Sequence, residues 1–300
     1  MNKINKQISQ IKDVTNISKE LIELNLDHDN TTKLPLKTNQ DILINDTINL
    51  IKQNTKIKLI DNEEYSDALN IRAQLIDWLA VVNKKLRQSY TTFYTAIDIM
   101  DQILEKYHYS VDDKQMHLIS MVSYFISSKI EETNPISLKI LKNNMGHNRF
   151  SKDELISCEY LVLSKLKFNV PRNHFIEFIN IFIILIEDFL EHNKLEKVQF
   201  DKNLFNDYAK QIYNILMLEY LIHNKYILII NYTAIMYLSF YKMMKKQSWK
   251  EKSIKRMFRS IIRILNFDFE ADLNSAIEEV FNILVCYKNS IKCYPNLFEI

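Results

Sequence analysis

A single glycine, four prolines and three cysteines in 300 residues narrow what this chain can be. The phosphate-cradling GxGxxG and P-loop motifs, and the GxSxG elbow of hydrolases, each need more glycine than is present, so the usual nucleotide-binding and hydrolase signatures are excluded. Scarce Gly and Pro also leave little material for the tight turns of a sheet protein. Cys158, Cys286 and Cys293 are odd in number, form no CxxC, and lack the spacing of a zinc site or disulfide framework. A reducing, intracellular setting with no metal and no cofactor is expected.

Charge of one sign is also missing: 39 basic against 37 acidic residues give a net +2, which makes no overall electrostatic case for nucleic acid or membrane binding. No apolar block follows the first lysines, so no signal peptide is expected, and the longest uncharged run, YILIINYTAIMYLSFY at 226–241, is short for a bilayer. It reads as a buried core helix. Aromatic residues and arginine are absent from the first 60 positions, beginning only at Tyr65 and Arg72. Residues 1–40 are therefore expected to form a flexible tail with at most a transient helix, followed by a helix over 41–54.

What is there reads as helix. Leu75, Leu79, Val82 and Leu86 recur at i, i+4, i+7 and i+11, and Phe93, Ile97, Met100 and Leu104 repeat the spacing. Leu118, Val122 and Phe125 mark a third helix. A fourth, from about Ile136, runs to Gly146, whose freedom at positive φ suits the residue past a helix end. A fifth starts at SKDE, where Ser151 and Glu154 have capping-box spacing, carries Leu155, Cys158 and Val162 on one face, and stops before Pro171. Five further helices are expected over about 172–192, 203–222, 227–246, 249–264 and 270–289. With 47% hydrophobic residues the chain is long enough for two cores, so an all-α protein of two domains is expected.

The stretch SSKIEETNP at 127–135 contains an oddity: Lys129 is in helical register with Leu118, Val122 and Phe125. Glu159 likewise adjoins the stripe of Leu155 and Val162. Either the two pair with each other at the core edge, or another molecule receives them.

IRAQLIDWL (71–79), AIDIMDQIL (96–104), MHLISMVSYFISSKIEETNP (116–135) and SCEYLVLSKLKFNVPRNHFIEF (157–178) resemble, in order and spacing, the cyclin box of A- and B-type cyclins. QSWKEKSIKR (247–256) resembles the matching stretch of the C-terminal cyclin fold. The resemblance implies two tandem five-helix cyclin-fold domains, an N-terminal box with its preceding helix over 41–171 and a C-terminal fold over 172–290, with a C-terminal tail over 291–300. It implies a non-catalytic regulatory subunit that binds and activates a cyclin-dependent Ser/Thr protein kinase in cell-cycle control, in the nucleus or cytoplasm. Nucleic acid and membrane are not among the expected partners.

Carried over by motif, Lys129 and Glu159 match the family's kinase-gripping pair, and Arg72 and Asp101 its internal ion pair; Leu118 matches a core position. Ile71, Leu75 and Trp78 match the floor of a docking groove for Arg-x-Leu peptides of substrates or inhibitors, although Leu75 reads equally as core. Val81 stands where the family places an acid and His117 where it places glutamine, so a peptide's arginine is expected to be read poorly. The family's Arg-x-x-Leu destruction signal is not expected either, since no arginine precedes Arg72 and no KEN triplet occurs. A second class keeps the fold and changes the role: a cyclin-fold scaffold of the transcription machinery, which salt-dependent DNA association would favour.

Overall fold

A computed structural model of the chain describes residues 44, 46–49, 51, 66–107, 110–193, 199–219, 226, 228–264 and 270–287. The expected tails over 1–40 and 291–300 lie outside the described residues. Those described fall into two compact units, one within Ile57–Ile176 and one within Glu177–Ile291 that also takes in the described residues of 44–51. The sequence reading attached that last segment to the first domain; its stripe of Ile44, Ile48 and Ile51 is buried, and it clusters with the second unit.

Among the described residues every regular element is helical. The first unit contains α1 (Ser66–Leu86), α2 (Tyr90–Lys106), α3 (Asp113–Glu131), a short α4 (Leu138–Ile140) that widens into a π-helical turn (Leu141–Met145), and α5 (Lys152–Lys165). Side-chain caps set their starts. Ser89 Oγ accepts from Thr92 N–H at α2, an Asp112 carboxylate oxygen accepts from Gln115 N–H at α3, and Ser151 and Glu154 form the expected reciprocal capping box at α5.

The central element is α3, which packs on α1, α2 and α5. Every residue from Ile119 to Ser128 is buried, more than one apolar stripe can supply, and the surplus positions are serines. Ser127 Oγ donates to the Thr92 carbonyl at 2.7 Å and Ser128 Oγ accepts from Ile136 N–H at 2.9 Å, so these two are satisfied at close helix approach, while Ser123 Oγ is buried without a partner among the described residues. Leu118, expected in the core, is only half-buried, whereas Met116 and Ile119 on either side of it are buried, so in the first turns of α3 the core is met by a different side of the helix.

Gly146 also departs from expectation. Its φ is −84°, and the left-handed conformation is taken instead by His147 and Asn148, at φ 45° and 59°. Proximity favours glycine there: a Cβ would lie 2.9 Å from Met121 Cε, which would have to move, and 3.1 Å from the Lys142 carbonyl oxygen.

In the second unit come α6 (Phe175–His192, whose first two residues fall in the first unit), α7 (Lys202–Leu218), α8 (Leu228–Lys246), α9 (Glu251–Ile264) and α10 (Glu270–Tyr287), within a few residues of the ranges expected. Helix α8 contains most of the uncharged run at 226–241 and is buried without a break from Ile229 to Met244. Its hydroxyls turn back on their own helix, Thr233 to the Ile229 carbonyl and Ser239 to that of Ile235. Around it Phe182, Phe205, Tyr237 and Phe258 form a ring cluster with centroids 4.8–6.3 Å apart. Among the described residues no helix is long and apolar enough to cross a membrane.

Candidate partner-binding site

Helix α3 ends at Glu131, so Lys129 sits in its last turn, where the stripe of Val122 and Phe125 emerges from the core. The Lys129 ammonium lies 3.8 Å from the centroid of the Phe125 ring and 2.5 Å from Glu159 Oε1 on α5. The lysine side chain is 41% exposed and the glutamate 19%. The two oddities of the sequence thus meet, at the surface, as an ion pair. A pair this wet contributes at most about 1 kcal/mol to the fold, because water screens it and both long chains lose rotamer freedom.

What surrounds the pair is apolar. Helix α5 buries only Leu155, Cys158 and Val162, a narrow stripe at i, i+3 and i+7. Ile156, Tyr160 and Leu161 face water, as does Ile130 beside Lys129. Beyond α5, Lys167 and Phe168 adopt left-handed backbone (φ 53° and 56°), with the Phe168 N–H bonded to the Leu163 carbonyl at 2.8 Å. Two successive non-glycine residues in that region cost roughly 1 kcal/mol or more each, and the turn they make leaves the Phe168 ring 66% exposed. Tyr160 is 67% exposed. None of Ile130, Ile156, Tyr160 or Phe168 was singled out from sequence. The available signal was that the apolar residues of EYLVLSKLKF exceed the positions one stripe can bury. Burial pushes the Cys158 thiol up to about 11, so it packs as a small apolar group and not as a nucleophile.

A polar frame holds α3 and its exit segment in place. Glu131 receives both arms of the Arg172 guanidinium at 3.0 and 3.1 Å. Glu132 accepts from Ser89 N–H at 2.6 Å and Thr92 Oγ1 at 2.5 Å. Burial alone would raise the Glu132 pKa, but these hydrogen bonds hold it below the ordinary carboxylate value.

Deeper in the unit, Arg72 on α1 and Asp101 on α2 form a two-armed ion pair, Nε–Oδ1 2.6 Å and NH2–Oδ2 2.7 Å, with 0% and 1% of the side chains exposed. One turn earlier Asp98 accepts from Asn173 Nδ2 at 2.8 Å, and the Asn173 backbone N–H donates to Thr95 Oγ1 at 3.0 Å. Asp98 is pushed up to about 7, chiefly by desolvation, with the nearby Asp101 charge adding to it while Asn173 and Arg72 oppose. Between the ordinary carboxylate range and about pH 7, then, the folded protein keeps a proton on Asp98 that the unfolded chain has released. The stability this group contributes is complete at acid pH and lost as pH rises through 7. Asp98→Asn, which keeps an acceptor for Asn173, is expected to raise the melting temperature most at about pH 8, less at about pH 5, and hardly at all below about pH 4, where the unfolded chain is protonated too. Equal shifts at all three, followed by calorimetry, would show that Asp98 is ionised throughout.

Of the groove residues, Leu75 is buried in the core while Ile71 and Trp78 are half-buried. The Trp78 ring meets His117 edge-on, centroids 4.8 Å apart at 76°, and His117 is held below its usual pKa by burial and then by Arg149 and His147. Val81 is half-buried beside them.

Residues 42–171 match the model of the cyclin N-terminal domain. Over these 130 of its 300 residues the chain is similar to the cyclin N-terminal domain. It is similar to the G2/mitotic-specific cyclin-B1 of Oryzias luzonensis, 27% identical over 159 residues, which are 53% of this chain and 38% of that protein. It is also similar to cyclin-B1 of Oryzias javanicus, 30% identical over 41% of this chain and 29% of that one, and to Cyclin-A1-4 of Oryza sativa subsp. japonica, 32% identical over 34% and 28%. The matched part of this chain therefore spans less than two fifths of the length of these relatives. Among solved structures, a viral cyclin from herpesvirus saimiri is similar at 14% identity with a TM-score of 0.43, covering 77% of this chain and 98% of its own, a likeness too loose to align residues.

Proposed function

We propose that this chain is a cyclin, a non-catalytic regulatory subunit built from two tandem five-helix cyclin folds that binds and activates a cyclin-dependent Ser/Thr protein kinase in cell-cycle control inside the cell. The observation that carries the reading is the exposed apolar face of α5, with Ile156 and Tyr160 beside the Lys129–Glu159 pair and Ile130 and Phe168 flanking it in sequence. Exposed rings and aliphatic side chains next to a charged pair are what a protein interface uses, apolar anchors excluding water from charge-assisted hydrogen bonds. An ammonium can satisfy a partner's backbone carbonyls and a carboxylate its N–H groups, and both bonds strengthen once water is gone. Arg72 and Asp101 act structurally in this reading, tying α1 to α2 behind the face. Ile71 and Trp78 would offer apolar contact to a docking peptide, with Leu75 supporting them from the core.

Immobilised chain is expected to recover a cyclin-dependent protein kinase from the source cell in comparable molar amount. Ile156→Asp or Tyr160→Asp, both at exposed positions, should abolish the capture while leaving helical content intact. Recovery of transcription machinery alone, or kinase capture indifferent to both substitutions, would contradict the proposal.

A further inference from the structure

The balanced net charge conceals a local imbalance in the second unit. Between Lys242 and Arg263 lie nine basic residues and one acid, Glu251. Helix α9 sorts them by face. Ile254, Met257, Phe258, Ile261 and Ile262 are buried, while Lys252, Lys255, Arg256, Arg259 and Arg263 share the other side at i, i+3, i+4, i+7 and i+11. The stripe runs about 16 Å along the helix. Upstream, Lys245, Lys246 and Lys250 are exposed as well.

Within this row Lys252 and Arg256 are the cations to consider. Glu251 is committed to Lys255, at 3.1 Å. Lys252 and Arg256 are exposed and make no ion pair among the described residues, and the Arg259 Nε–H is buried with no acceptor. Cations three and four residues apart on a helix repel, at a few tenths of a kcal/mol per pair, so the free protein carries a cost that an anion would remove. Guanidinium groups present fixed pairs of N–H donors suited to carboxylates.

We propose that the outer face of α9 is a docking surface for an acidic stretch of a polypeptide partner. An extended chain rising about 3.3 Å per residue covers the stripe with about five residues, bringing alternate carboxylates to successive cations. The same unit favours a peptide over nucleic acid. Its other helices carry acids, Glu187, Asp188 and Glu191 on α6 and Asp272, Glu278 and Glu279 on α10, so the run of basic charge is limited to α9 and the end of α8 that leads into it. A duplex carries its phosphates well beyond a strip of about 16 Å, whereas a short acidic segment matches its length. This inference concerns α9 alone and is independent of the role given to α5.

The test is fluorescence anisotropy with the full chain, a labelled peptide of alternating Glu and Asp, and a Gln/Asn peptide of the same length. Binding of the acidic peptide that weakens with added salt is expected, with little binding of the neutral one. Lys252→Glu/Arg256→Glu should weaken it at least about tenfold, while Lys139→Glu/Lys142→Glu, which changes net charge equally on the first unit, should leave it within about twofold. Far-ultraviolet circular dichroism of both variants verifies that the helices persist. Absence of binding, equal loss in both variants, or tighter binding of a duplex DNA fragment would overturn the proposal.

Discussion

Asp101→Ala is expected to destabilise the first unit by about 3–5 kcal/mol, read as a lowered urea midpoint. The size follows from what is left behind. The Arg72 guanidinium has no exposed surface and gives both Nε and NH2 to Asp101. Removing the carboxylate leaves a cation that cannot deprotonate held in the core without its two-armed acceptor. Arg72→Ala should cost a similar amount by stranding Asp101. The double change Arg72→Met/Asp101→Leu should cost less than either single one, because no charge is then left unpaired and most of the volume is restored. A loss below about 1 kcal/mol for Asp101→Ala would mean that water or another group reaches Arg72.

Helices were legible wherever local chemistry dictates them. The capping box at Ser151 and Glu154 and the stripe of Phe93, Ile97, Met100 and Leu104 were readable because each depends on residues within a few turns. Gly146 was misread because what favours it is long-range, the Met121 methyl on α3, which no local rule registers. Leu118 was misplaced for a related reason: where Met116 and Ile119 are buried around it, only the packing of neighbouring helices decides which side of α3 meets the core. Nor could sequence show that α5 keeps so little of its apolar surface inside. Ile156 and Tyr160 are ordinary helix residues until the tertiary structure leaves them uncovered, and Phe168 owes its exposure to a left-handed turn usually reserved for glycine or asparagine. The Arg72–Asp101 pair, 29 positions apart, came only from resemblance.

For the surface pair the largest effect is expected in the complex rather than in the fold. Lys129 and Glu159 are bonded to each other across α3 and α5, but with the lysine 41% exposed each can exchange its partner for water at small cost. Lys129→Ala should therefore lower the melting temperature by no more than about 2–4 °C. If a kinase covers this face, the same truncation strands a group in a water-excluded interface and costs about 2–5 kcal/mol of binding, more than a tenfold loss of affinity. Glu159→Ala should behave alike, and kinase activation should fall with occupancy.

The most direct measurement takes both quantities from the same two variants: melting temperature, and the dissociation constant for the captured cyclin-dependent kinase. The account predicts near-native melting with affinity reduced more than about tenfold for Lys129→Ala and for Glu159→Ala. Markedly lower melting with unchanged affinity would make the pair a clasp at the core edge, and would contradict the assignment of this face to the kinase.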